Sequence, residues 1–124
     1  MIVYDAGVLV GAERGDHRVR ARHAALLERG VIPAIPATVL AQAWRGGPQP
    51  NLSRLLRGCD VVGLDEVGAR RVGELCARAG SADVVDASVV DAAAQRDASV
   101  LTSDVADLQS LAQVAEPEVR IEPM

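Results

Sequence analysis

Five aspartates stand where this chain leaves strands or enters helices: Asp5, Asp83, Asp86, Asp104 and Asp107. Three of them sit in apolar company. Asp5 ends the run Met1-Ile2-Val3-Tyr4, Asp86 interrupts Val84-Val85-Asp86-Ala87-Ser88-Val89-Val90, and Asp104 closes Val100-Leu101-Thr102-Ser103-Asp104. A carboxylate in such surroundings is costly unless its charge is compensated. Several meeting in one place repel each other, and a hard divalent cation bound through oxygen relieves that repulsion. The chemistry this pattern points to is an acidic metal site.

A structural role competes with that reading. Asp83-Val84-Val85-Asp86 and Asp104-Val105-Ala106-Asp107 both have the spacing of a helix N-cap with an acid at the third helical position. Backbone N–H groups and the helix dipole favour carboxylates there. Capping accounts well for Asp83 and Asp107 and less well for Asp86, which valines and alanines surround. Asp5 is the only charge in the first twelve residues, which favours a functional role. Asp91 follows Asp86 by five residues, roughly 140° around a helix, so it is expected to point elsewhere and to be exposed. Thr102 and Ser103 are placed to bond the carboxylates or a phosphate, although hydroxyls at strand ends also form turns.

The elements that must position these residues alternate. Strands are expected over Ile2–Asp5, Val31–Ile35, Cys59–Leu64 and Ser99–Thr102, with a short edge strand over Val119–Glu122. Helices are expected over Ala6–Glu13, from the cap Asp16 to Arg29, Pro36–Arg45, Asn51–Arg57, from Asp65 or Glu66 to Ala79, Asp83–Arg96 and Asp104–Gln113. Alternating strands and helices argue for a parallel sheet of four to five strands with helices on both faces. In such sheets, sites form beyond the carboxyl ends of the strands, where Asp5 and Asp104 are placed.

Composition narrows the classes. The 124 residues suit one domain, 1–124, with one core, and 49% are apolar, which excludes a disordered chain. Aromatics are limited to Tyr4 and Trp44, so no stacking platform for bases is available. All 13 basic residues are Arg, and the net charge of −4 argues against nucleic-acid binding over the whole surface. The densest basic segment holds Arg14, Arg18, Arg20, Arg22 and Arg29 with His17 and His23. Arg18 and Arg22 share a helix face and could grip an RNA backbone or an acidic partner, although a solvated face is the blander account. Cys59 and Cys76 fit no metal spacing and read as reduced core thiols. No leader or membrane span is seen, so a cytoplasmic protein is expected.

Taken in order, Asp5, the segment Val39-Leu40-Ala41-Gln42-Ala43-Trp44, the segment Val85-Asp86-Ala87-Ser88-Val89-Val90-Asp91-Ala92-Ala93, and Leu101-Thr102-Ser103-Asp104 resemble the PIN domain over essentially the whole chain. The resemblance is to the VapC-type ribonuclease toxins of bacterial toxin–antitoxin pairs. It implies a three-layer α/β sandwich and an acidic pocket for Mg²⁺ or Mn²⁺. It also implies hydrolysis of RNA phosphodiester bonds, a cognate antitoxin protein and a homodimer. By resemblance Asp5, Asp86 and Asp104 are the catalytic and metal-binding acids, with Gln42, Asp83, Thr102, Ser103 and Asp107 around them. Two positions depart from the pattern. The usual helix Glu falls on Gln42, which offers a carbonyl oxygen but no charge. The polar residue two places after the first acid falls on Gly7. Three carboxylates suffice for one ion, and a second ion is harder to justify. The alternative function is a PIN domain weakened or silent in catalysis that binds protein or RNA. An unrelated receiver-like module is disfavoured because Asp5 stands alone at its strand end.

Overall fold

Short apolar, β-branched runs alternate with capped helical segments along the chain. The structure, a computed structural model describing residues 1–124, turns that alternation into one sheet and its crossovers. In chain order it runs β1 (Ile2–Tyr4), α1 (Ala6–Glu13), α2 (His17–Glu28), β2 (Ala34–Pro36), α3 (Ala37–Ala43), α4 (Pro50–Leu56), β3 (Asp60–Val62), α5 (Glu66–Ala79), α6 (Val84–Arg96), β4 (Ser99–Thr102), α7 (Val105–Val114) and β5 (Ile121–Pro123). All four strand pairings are parallel, in the order β3-β2-β1-β4-β5. The expected α/β class and strand number are therefore observed.

Register matters most at the centre. Ile2, Val3 and Tyr4 of β1 pair with Ser99, Val100 and Leu101 of β4, and Val3 pairs with Ala34 of β2 on the other side. The chain leaves β1 toward β2 in one direction and returns to its other flank as β4. The strand order thus reverses between β1 and β4, which opens a crevice at their carboxyl ends.

Carboxylates start most of the longer helices. Asp16 accepts from Arg18 N and Val19 N at the start of α2, and Asp65 accepts from Gly68 N at the start of α5. The left-handed Gly80 (φ 67°) ends α5 where the sequence places its stop. Strand limits differ more. β2 begins at Ala34, three residues later than expected, and β3 is three residues long where six were expected. Both runs are apolar enough to read as strands, but only the parts that reach a neighbour pair. α3 starts after Pro36, which stays extended (φ −59°, ψ 138°) as the last residue of β2. It stops at Ala43 because the Gln49 side chain turns back, donating to Ala43 O (3.0 Å) and accepting from Arg45 N (2.8 Å).

With almost no aromatics, the core is a single cluster of 29 buried residues, almost all Val, Leu, Ile and Ala. Tyr4 is the exception. It is fully buried in β1, and its hydroxyl bonds His23 Nδ1 of α2 across 2.8 Å. Burial holds the phenol protonated and lowers the affinity of His23 for a proton. Cys59 and Cys76 are free, at the half-buried margin of the core rather than inside it. No helix is long and apolar enough to cross a membrane.

The Tyr4–His23 contact has a measurable pH signature. With its pKa lowered in the fold, His23 takes up a proton more readily in the unfolded chain. Its contribution is then present above the unfolded pKa of about 6.5 and is lost as pH falls. Thermal melts between pH 8 and pH 5 should lose stability more steeply in the wild type than in His23→Gln. At pH 8, Tyr4→Phe should cost about 1–3 kcal/mol by leaving the ring nitrogen without a partner. Equal pH slopes in wild type and His23→Gln would contradict this account.

Candidate metal centre

The crevice between β1 and β4 is where the acids gather. Asp5 follows β1 directly, its N–H extending the ladder to Leu101 O (3.1 Å). Its side chain is 9% exposed. Oδ1 accepts from Ala6 N (2.7 Å), capping α1, and Oδ2 accepts from Thr102 Oγ1 (2.8 Å). The fully buried Thr102 hydroxyl in turn accepts from Asp104 N (2.9 Å). One hydroxyl therefore ties the acid after β1 to the acid after β4. Asp104 caps α7, accepting from Asp107 N (3.4 Å).

The third element is α6. Asp83 caps it, accepting from Asp86 N (2.9 Å), so the capping role expected for Asp83 is observed. Asp107 occupies the third position of α7, again as the spacing implied. Asp86 holds the equivalent position in α6 with a half-buried side chain, and no N–H or hydroxyl is directed at its carboxylate oxygens. Burial first, then the negative charges of Asp83, Asp5 and Asp107, push its pKa up to about 7. Asp107 is pushed up as well, first by hydrogen bonding to Asp104 and by its charge, with Asp83 and Asp5 contributing further. The aspartates of three separate elements thus feel one another.

Nothing in the protein neutralises them. The ion pairs are Arg18–Asp16, Arg22–Glu122, Arg70–Glu66 and Arg71–Asp91, and none includes one of the five aspartates. Carboxylate and hydroxyl oxygens without His or Cys form a donor set that fits a hard divalent cation and not a soft one. As they stand, no three His, Cys, Asp or Glu groups are drawn together closely enough to cage an ion. The charges crowd, and their oxygens do not close into a shell.

Other expected residues fall differently. Asp91 does point away from Asp86, but it is not exposed. At 9% exposure it is gripped by Arg71 Nε (3.1 Å) and by the same guanidinium's second nitrogen (3.3 Å), because α5 packs over that flank of α6. Arg22 is engaged by Glu122 of β5 (2.9 Å) and Arg18 lies near Asp16 (3.5 Å), so neither stands as a bare cation. Gln42 is exposed on α3, and its side chain makes no hydrogen bond to the protein. Ser103 is exposed beside Gly7. Sequence reasoning passed over Thr38, whose hydroxyl lies 2.6 Å from that of Ser88 and links α3 to α6 two residues beyond Asp86. The largest cavity, about 460 Å³, lies next to the acids rather than at them, with Thr38, Asp65, Arg71, Ser88, Asp91 and Arg96 among its walls. Its charges are mixed and partly paired, in contrast to the five aspartates.

Solved structures share this architecture. VapBC2 from Rickettsia felis, bound to a promoter DNA fragment, matches with a TM-score of 0.72 at 18% identity, over 100% of this chain and 99% of the other. DNA-bound VapBC from Salmonella typhimurium matches with a TM-score of 0.70 at 18% identity, over 98% and 96%. A toxin–antitoxin complex from Klebsiella pneumoniae gives 0.71 at 17% identity, over 96% and 95%. Likeness at this identity establishes a common fold. No protein-family model matches the chain, and no curated protein resembles it significantly in sequence.

The charge crowding predicts an unusual stability profile. With its pKa raised in the fold, Asp86 binds its proton more tightly folded than unfolded. Its contribution is present at low pH and is lost as pH rises from about 4 through about 7. Asp86→Asn should therefore gain on wild type as pH rises from 5 to 8, by about 1–2 kcal/mol after discounting for partial exposure. Millimolar Mg²⁺ or Mn²⁺ should raise the wild-type melting temperature and raise that of the variant less. Melting curves of both proteins that ignore pH and metal alike would reduce these aspartates to helix caps.

Proposed function

We propose that this protein is a divalent-metal-dependent endoribonuclease acting as the toxin of a toxin–antitoxin pair. The observation that supports the proposal is the mutual crowding of the aspartates that follow β1 and β4 and open α6, none of which has an ion-pair partner. The fold shared with chains of toxin–antitoxin complexes supports the same reading.

In this reading Asp5, Asp86 and Asp104 hold the cation. When bound, Mg²⁺ or Mn²⁺ supplies Lewis acidity toward a phosphate oxygen and lowers the pKa of a water. The chain's own residues do the rest. Thr102 fixes the rotamer of Asp5 and the backbone of Asp104 together, so two of the three acids move as one unit. Asp86 comes from the opposite helix with its carboxylate oxygens free of protein donors, which suits it to orient an attacking water in line with the scissile bond. Asp83 and Asp107 add negative charge that draws a cation in, and Gln42 offers a neutral carbonyl from α3. A polyanionic RNA approaches such a surface only when that charge is neutralised, so metal and substrate binding are coupled.

The partners follow from the same reading: an RNA substrate, a cognate antitoxin and a second copy of the chain. Exposed Trp44 (41%), Val61 (46%), Leu64 (39%) and Val67 (64%) supply apolar surface for association. The neutral Gln42 favours a second reading, a PIN domain that binds without cutting.

Cleavage of a structured RNA in Mn²⁺ separates the two. Wild type should cut, EDTA and Asp5→Asn should each lower the rate by at least about 100-fold, and Gln42→Glu should raise it at limiting Mn²⁺. Absence of cleavage by wild type and Gln42→Glu across varied RNAs would leave the binding module as the better account.

A further inference from the structure

The Ser103 hydroxyl occupies the space where residue 7 has no side chain. A Cβ built on Gly7 would lie 2.1 Å from Ser103 Oγ and 3.3 Å from Ser103 Cβ. No real Cβ tolerates the first distance, so any other residue at position 7 would drive the hydroxyl out of this place. Gly7 is not needed for backbone conformation, because it lies within α1 and is absent from the positive-φ glycines. Glycine inside a helix weakens it, so what the glycine provides here is room.

The side chain that fills that room is uncommitted. Ser103 stands between Thr102, whose hydroxyl is donated to Asp5, and Asp104, whose carboxylate caps α7. Ser103 Oγ makes no hydrogen bond to the protein, and the residue is exposed beside Gly7. Its surroundings are also one-sided. The aspartates offer acceptors, the Thr102 proton is taken by Asp5, Ala6 N is taken by the same carboxylate, and Asp104 N is taken by Thr102. A phosphodiester approaching these acids needs hydrogen-bond donors for its non-bridging oxygens, and Ser103, next in the chain to the Thr102 that bonds Asp5, is a side-chain donor left free.

We propose that Ser103 positions substrate, its Oγ–H donating to a non-bridging oxygen of the RNA backbone, and that Gly7 exists to admit it. This inference rests on the ribonuclease reading above. Ser103 is placed by the strand β4 that also places Thr102 and Asp104, so the donor and the metal-binding acids share one rigid support.

The test measures binding of a single-stranded RNA oligonucleotide in Ca²⁺ by fluorescence anisotropy, and kcat and KM for its cleavage in Mn²⁺. Melting temperatures with and without Mn²⁺ accompany each variant. Ser103→Ala should raise Kd and KM about 3–10-fold, the scale of one lost hydrogen bond, leaving the melting temperature and its Mn²⁺-induced shift unchanged. Ser103→Thr should stay within about twofold of wild type because it keeps the hydroxyl. Gly7→Ala, which displaces that hydroxyl to another rotamer, should weaken binding as much as Ser103→Ala. The double variant should be no worse than either single one. Wild-type affinity in Ser103→Ala would overturn the proposal and leave the Gly7–Ser103 fit as packing alone. Loss of the Mn²⁺ shift in Ser103→Ala would overturn it differently, by making Ser103 a metal ligand. If wild type cleaves and Asp5→Asn does not while Ser103→Ala matches wild type, only this inference falls. If wild type neither binds nor cleaves RNA, the ribonuclease reading falls and takes it along.

Discussion

Repulsion among carboxylates brought together by the β1–β4 pairing is the constraint around which this protein is arranged. Asp5, Asp86 and Asp104 arrive from β1, α6 and β4, and no arginine comes with them although the chain carries 13. A fold free to lower this energy would place one guanidinium in the crevice. The four ion pairs instead lie elsewhere, and the nearest packing solution, Arg71 on Asp91, serves the α5–α6 seam. Burial, together with the neighbouring charges of Asp83, Asp5 and Asp107, pushes the pKa of the Asp86 carboxyl up to about 7. Stability is given up locally where a positively charged ligand can restore it.

The scaffold restricts how far the acids can relax. Hydrogen bonds at both Asp5 oxygens fix its carboxylate, and Thr102 couples that carboxylate to the backbone of Asp104. Asp83 and Asp104 are held by the helix ends they cap. Capping and ligand-holding are therefore compatible roles for the same aspartates. At Asp83 and Asp104 the cap uses one oxygen and leaves the second without a protein donor, whereas at Asp5 both oxygens accept a hydrogen bond. Asp86 differs in receiving no N–H or hydroxyl donor, and burial first, then the charges of Asp83, Asp5 and Asp107, raises its pKa.

Legibility from sequence followed the range of the interaction involved. Local signals were read well. Asp16, Asp65, Asp83 and Asp104 all cap helices at the expected places, Gly80 ends α5, and the alternation of elements gives the parallel sheet. Strand limits were read less well, since pairing partners decide which part of an apolar run becomes β2 or β3. The early end of α3 depends on the Gln49 side chain returning from a loop, which no periodicity encodes. Asp91 was misjudged for the same reason. Helical rotation places it off the Asp86 face, but only the packing of α5 determines that this second face is buried and supplied with an arginine. The seat of Ser103 against Gly7 joins residues 96 positions apart in chain number, and glycine's lack of a side chain gave no clue to what would fill it.

Under the proposed function, a divalent cation would neutralise the negative charge that these aspartates bring together. The most direct test is the titration of the Asp86 carboxyl carbon by NMR, first without metal and then with Mg²⁺ added. The account predicts a midpoint near 7 in the metal-free protein and a marked fall when Mg²⁺ binds. A midpoint in the ordinary carboxylate range near 4, unmoved by Mg²⁺, would contradict it.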